Sequence, residues 1–414
     1  MKESVLILGA AALQVPLINY VKAKGYRLLV VSIPGDYPGF ALADRCIYCD
    51  IRDGDKILAE IEGENVISVL TDETDMSVPT VAYIANKLGL VGNTLETAVI
   101  YANKFMMREI CQEIGISVPK FYRASSIEEI ENKETLLNYP VIMKPEDNQG
   151  SRGIYYINSL NEAISNFSDS VGYSRTGYVI VEELFRGKEV VVEGFVFNGV
   201  YVNWGIAERK YFALDKIFIP SQTIFPAVIS EKISNLLIDA EIRLHSELKP
   251  SFGMIHSEYL INETTGEYIL VETALRGGGV YISSHLVPYY TGYNNYDLLF
   301  DCSLGKVANV DSIRKSIIPS SSGYVCFYLP EGEIISVSGV VQIKNMPCVK
   351  VADIDNLVIG TRIEKMTNKT QRLGPIVLKA ENRDMLEKYI EEIQSVLKIE
   401  VRTLDGSIQG IHWN

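Results

Sequence analysis

Between residues 4 and 95 short apolar runs alternate with segments of helical spacing, and no other feature of this 414-residue chain narrows its fold as far. The runs SVLILG, YRLLVVSI and NVISVLTD are strand-length, while ALQVPLINYVKAKG and SVPTVAYIANKLGL repeat their apolar residues every three or four positions. Short buried strands separated by amphipathic helices mean a parallel sheet with crossover helices. Residues 1–95 are therefore expected to form a Rossmann-like unit. Its first turn, GAAALQ, lacks the second and third glycines that let a backbone approach a dinucleotide pyrophosphate, so a nicotinamide dinucleotide site is not expected there.

Beyond this unit, TLETAVIYANKFMMREICQEIG reads as one helix ending at Gly115, and the chain restarts as extended structure at ISVPKFYRA. From about 118 to 183 strands and helices alternate in a small α+β module. A hairpin is expected at Asn198-Gly199, a helix over SEKISNLLIDAEIRLHSEL, and a strand pair in GMIHSEYLIN and GEYILVETAL. The last hundred or so residues read as a further α+β unit. The expected fold class is thus α/β and α+β, multidomain, with units at 1–95, 96–305 (its lid at about 118–183) and 306–414.

Composition closes several routes. A net charge of −13 argues against a nucleic-acid surface, and no apolar run approaches the roughly 20 residues that cross a bilayer. No export signal is read at the N-terminus, so a cytoplasmic protein is expected. Six scattered cysteines, with Cys46 and Cys49 lacking a second pair or a neighbouring histidine, make no zinc site.

The candidate chemistry lies in five separated stretches. YPVIMKPEDNQGSRG ends an apolar strand in Lys144 and continues through Gly150-Ser151-Arg152-Gly153, whose glycines can turn backbone N–H groups inward as an anion nest; Lys104 lies some forty residues earlier. VIVEELFRGKEVVVEG carries Glu182, Glu183 and Leu184, then Glu189 on one strand face with Val191 and Glu193. HSEYLI and VETALRGGG place Glu258 and Glu272 on two strands joined by a turn at Thr264-Thr265-Gly266, and two adjacent carboxylates want a cation between them. Magnesium suits such oxygen ligands and shares its shell with phosphates and water. Arg276 follows four residues after Glu272, where a transferring phosphoryl group needs fixed positive charge.

In this order the motifs resemble the ATP-grasp superfamily, and the resemblance runs over roughly residues 1–400. It implies that ATP lies in one cleft, with Lys104 and Lys144 on the α and β phosphates and the Gly150–Gly153 loop, including Ser151, folded over them. It implies adenine against Glu182, Glu183 and Leu184, ribose on Glu189, Mg2+ (with Mn2+ as an alternative) on Glu258 and Glu272, and Arg276 at the γ-phosphate. D-alanine:D-alanine ligases resemble this chain less closely, because their E-x-N motif has an asparagine where Ala274 stands here. The E-x-A-x-R form is similar to the L-amino-acid ligase branch and to ligases with carbamoyl-phosphate-synthase-like N-terminal domains.

The implied function is an ATP-dependent carboxylate-amine ligase working through an acyl phosphate on small-molecule carboxylate and amine substrates, with a homodimer left open as its assembly. The alternatives are a phosphotransferase on the same scaffold and a nucleotide-binding protein without turnover. For the substrates, the acidic loop TDETDMS offers Asp72, Glu73 or Asp75 to an ammonium, unless these residues only offset a helix dipole; His256, His285 and Gly278 would border the acceptor.

Overall fold

The computed structural model describes residues 2–148, 152–214, 218–307, 320–368 and 371–413. The N-terminal apolar runs form a parallel four-stranded sheet in the order Arg45–Tyr48, Arg27–Ser32, Ser4–Leu8, Val66–Leu70. Val5 to Leu8 are fully buried, which is why this strand shows no polar alternation. Helices Val15–Ala23 and Gly54–Glu60 make crossovers between its strands, and Val78–Lys87 follows the last of them. The acidic loop Thr71–Ser77 leaves the carboxyl end of Val66–Leu70, the edge at which open α/β sheets present ligand loops.

The long helix expected after residue 95 is two helices, Leu95–Ala102 and Lys104–Glu113. Asn103 breaks it. Its backbone is extended (φ −125°, ψ 112°), and its side chain accepts from the Met106 backbone N–H at 3.0 Å, so it caps the second helix. Apolar spacing runs across the break, but the cap makes Lys104 the first residue of a new helix.

Residues 121–183 build an antiparallel sheet in the order Phe121–Ala124, Val179–Glu183, Val141–Pro145, Tyr155–Ile157, backed by helices Ile127–Lys133 and Leu160–Gly172. An eight-stranded sheet stands beside it, running Glu267–Ala274, Phe252–Asn262, Lys188–Phe197, Val200–Tyr211, Pro220–Phe225, Ser321–Phe327, Leu373–Ala380, Val349–Ala352. The Asn198-Gly199 turn is present, both residues at positive φ (48° and 76°), as a two-residue hairpin turn requires. Strands from beyond residue 320 join the same sheet as Phe252–Asn262, so the last part of the chain is hydrogen-bonded into the central layer. A separate small sheet pairs Gly332–Ser338 with Lys398–Thr403, and helix Arg383–Val396 packs against Ser321–Phe327 and Leu373–Ala380.

Candidate active site

One end of the cleft is a buried ion cluster. On neighbouring strands, Ile142 lies opposite Glu182 and Lys144 opposite Ile180, so Lys144 and Glu182 are diagonal neighbours on one face. The Lys144 ammonium meets Glu182 Oε2 at 2.5 Å, and Arg108 Nε donates to Glu182 Oε1 at 2.7 Å. All three side chains are buried. Burial by itself would raise the Glu182 carboxyl; Arg108 and Lys144 overcome it and hold the group down at about 2. Burial lowers the Lys144 ammonium, against the pull of Glu182 and with the repulsion of Arg108 and Lys104.

Lys104 opens its helix beside this cluster. Its ammonium donates to the Asn148 carbonyl at 2.7 Å and pairs with Glu272 at 2.8 Å. Both expected phosphate lysines therefore face the same cleft, each held by a carboxylate. Glu183 is half-buried, with its backbone N–H bonded to the Lys120 carbonyl, and Leu184 follows at the strand's end. Gly150 and Ser151 lie outside the described residues. Gly153 has φ +72°, the left-handed conformation that glycine allows.

The middle of the cleft is one face of three paired strands. Glu258 stands directly opposite Glu272, His256 opposite both Glu193 and Ala274, and Leu260 opposite Glu189. Arg209 joins the set from the next strand: its Nη1 donates at 2.6 Å to both Glu189 Oε1 and Glu258 Oε1, and the Tyr211 hydroxyl donates to Glu189 Oε2. Burial would raise Glu258; Arg209 and His256 hold it well below the usual carboxylate range. His256 Nδ1 pairs with buried Glu193, and Nε2 is 3.4 Å from Glu258. Burial would lower this imidazole, yet the two carboxylates push it up to about 9.

Glu258 and Glu272 are the open carboxylates here, their side chains 24% and 27% exposed. Among the described residues no three His, Cys, Asp or Glu side chains are arranged to hold a metal by themselves. A register-matched and accessible pair of carboxylates fits magnesium, which takes one or two protein carboxylates and completes its shell with phosphate and water.

The far end joins the N-terminal unit to the loop after Glu267–Ala274. Arg276 forms a two-pronged ion pair with Asp75, Nε to Oδ1 at 2.7 Å and Nη2 to Oδ2 at 3.0 Å. Asp72 accepts from the Gly277 backbone at 3.0 Å and from the hydroxyls of Ser283 and Tyr296 at 2.8 Å. A side chain at Gly278 would stand 2.7 Å from Glu193 Oε1 and 2.8 Å from His256 Nδ1, so only glycine lets the loop lie on that pair. Glu73 is buried nearby. His285, half-buried between the Tyr281 and Tyr289 rings at 5.0 and 5.8 Å, is pushed down by burial and bonds Ser284.

Sequence reasoning missed Arg108, Arg209 and the partner of Arg276. Arg108 lies four residues after Lys104 in a helix, which puts the two on one face and was the available signal. Arg209, within the charged run AERKY of a strand, gave none, because its partners come from two other strands.

With this geometry in place, residues 137–284 match the family model described as ATP-grasp domain, and residues 325–402 match that described as L-amino acid ligase C-terminal domain 2. The chain thus carries an ATP-grasp domain. Among curated relatives, the chain is 21% identical over 293 residues to the L-arginine-specific L-amino acid ligase of Bacillus subtilis, covering 66% of this chain and 68% of the relative. It is 22% identical over 392 residues to the carbamoyl phosphate synthase large chain of Thermoanaerobacter pseudethanolicus, covering 88% of this chain but only 36% of that protein. In fold it is similar to the L-amino acid ligase of Bacillus licheniformis, with a TM-score of 0.79 at 18% identity over 96% of this chain and 98% of that one. It is also similar to phosphoribosylglycinamide synthetase from Anaerococcus prevotii, with a TM-score of 0.74 at 20% identity over 96% of this chain and 99% of that one. Among the described residues no helix is long and apolar enough to cross a membrane.

Proposed function

We propose that the protein is an ATP-dependent carboxylate-amine ligase. The observation that carries this reading is Glu258 facing Glu272 across one strand pair, with Arg276 four residues beyond Glu272 and the acidic N-terminal loop against it. Lys104 and Lys144 would take the α and β phosphates, Glu182 to Leu184 the adenine, and Glu189 the ribose hydroxyls. Glu189 has both oxygens engaged by Arg209 and Tyr211, but a carboxylate offers about four acceptor positions, so a ribose can share it. Glu258 and Glu272 would hold Mg2+, which supplies charge neutralisation between the phosphates.

In this reading a substrate carboxylate oxygen attacks the γ-phosphorus, ADP leaves, and Arg276 stabilises the transferring phosphoryl group. An amine then displaces phosphate from the acyl phosphate to give the amide. Phosphoryl transfer needs positioning and charge more than covalent help, and the cleft supplies four fixed cations in Lys104, Lys144, Arg209 and Arg276. The acidic loop and Gly278 would border the acceptor, with His256 behind. The test is a screen of the common L-amino acids, singly and in pairs, for ATP-dependent phosphate release. Release that requires a carboxylate and rises with an amine supports the ligase; a phosphorylated product that accumulates unchanged when amine is added would make the protein a phosphotransferase.

A further inference from the structure

The three acids of the Thr71–Ser77 loop do not share one role. Asp72 has both oxygens satisfied by backbone and hydroxyl donors, and Asp75 is taken by Arg276. Glu73 differs. Only 9% of it is exposed, and its Oε1 is 3.4 and 3.5 Å from the Ser283 and Ser284 hydroxyls, while Oε2 is buried without a hydrogen-bond partner. An ideal Cβ at Gly279 would be 3.9 Å from that oxygen, so the unpartnered atom faces the side of the acceptor loop where side chains are missing. Glu73 also has φ +56°, a left-handed backbone that a glutamate adopts at a cost, and Val280 and Tyr281 across from it have φ 59° and 61°. A buried carboxylate oxygen left unpaired on a strained backbone, at a cleft, asks for a ligand that donates.

We propose that Glu73 is the general base of the amine half-reaction, taking a proton from the ammonium that attacks the acyl phosphate. This rests on the ligase reading above and deepens it by placing the nucleophile, not the phosphorylated carboxylate, on the N-terminal loop. The attacking R–NH3+ gives one proton to Glu73, which becomes a neutral acid. The freed nitrogen lone pair forms the C–N bond, the C–O bond to phosphorus breaks, and phosphate leaves with that electron pair. Phosphate takes the second nitrogen proton, leaving a neutral amide. The surroundings favour the protonated form that a base must reach: burial and Asp72 push the Glu73 carboxyl well up, while Arg276, the Tyr281 backbone N–H and Ser283 pull it partly back, and the neighbouring Tyr281 and Tyr296 hydroxyls donate to Asp353 and Asp72.

Hydroxylamine tests this, because it is unprotonated at neutral pH and captures acyl phosphates without a base. Wild type and Glu73→Gln are compared for hydroxamate formation from the common L-amino acids and for amide formation from the same amino acids in pairs. The expected result is hydroxamate within about threefold of wild type in the variant, which also proves it folded, with amide formation lowered by roughly 10²- to 10⁴-fold. Equal amide rates in both proteins overturn the proposal, as does loss of hydroxamate together with amide in a Glu73→Gln protein that melts like wild type, which would put Glu73 on the carboxylate substrate. Absence of hydroxamate from wild type with every amino acid would instead strike the ligase reading itself.

Discussion

Arg276 and Asp75 lie 201 positions apart in sequence and meet as a two-pronged ion pair that ties the N-terminal unit to the loop after Glu267–Ala274. The pair fixes the plane of the guanidinium in the cleft. A lysine keeps the charge but cannot hold two oxygens in one plane, so Arg276→Lys is expected to lower kcat by roughly 10²- to 10³-fold with little change in nucleotide affinity. Asp75→Asn should lower kcat less. Because the two act through one contact, the double variant should lose less than the product of the single losses. Steady-state ADP release beside calorimetric titration with a non-hydrolysable ATP analogue checks this; near-normal turnover in Arg276→Lys would leave Arg276 only a structural role.

Lys144→Ala should weaken binding of the ATP analogue by at least about 1.5 kcal/mol, the size of one charge-assisted hydrogen bond in a cleft. Wild-type affinity in the folded variant would remove Lys144 from the nucleotide site.

Glu182 makes a pH-dependent contribution to stability whose sign follows from its lowered carboxyl. The ordinary value is 4.5 and the folded value about 2, so the stabilisation is complete above about pH 4.5 and is lost as pH falls toward 2. Glu182→Gln leaves Arg108 and Lys144 without their buried counter-charge and should cost about 3–5 kcal/mol at neutral pH. Denaturant titrations of both proteins should show that gap holding constant down to about pH 4.5 and then closing; a gap that does not change with pH would assign the loss to packing.

Arg209 holds Glu189 and Glu258 together, so Arg209→Met leaves two neighbouring, partly buried carboxylates without the cation they share. The variant should melt below wild type, and added Mg2+ should raise its melting temperature more than it raises that of wild type, because the ion can replace the lost positive charge at Glu258. Equal Mg2+ responses would place the metal elsewhere.

Much of this was legible in sequence where the signal is local. The parallel sheet showed itself because strands buried on both faces have no polar alternation, and Glu258 and Glu272 showed themselves as carboxylates near one end of a hairpin; that they stand directly opposite depends on a register shift between Glu258 and Tyr259, which the sequence pattern does not reveal. Asn103 was not read as a cap, since apolar spacing continues on both sides of it. The ion pairs were hidden for a different reason: Arg108 reaches Glu182 74 positions away, Arg209 reaches Glu258 49 away, and nothing in a charged residue's neighbours says which distant partner the fold will bring. The unpartnered oxygen of Glu73 is likewise a property of the assembled loops, because its two acidic neighbours are silenced by residues more than 200 positions on.

The most direct measurement is the fate of a carboxylate oxygen. With a donor amino acid labelled with oxygen-18 in its carboxylate, an acyl phosphate mechanism moves one labelled oxygen into the phosphate released with each amide, which mass spectrometry of the phosphate reads. One labelled oxygen per phosphate, formed only when ATP, carboxylate and amine are all present, is the expected result. Unlabelled phosphate accompanying amide formation, or label held in a stable phosphorylated product, would contradict ligation through an acyl phosphate.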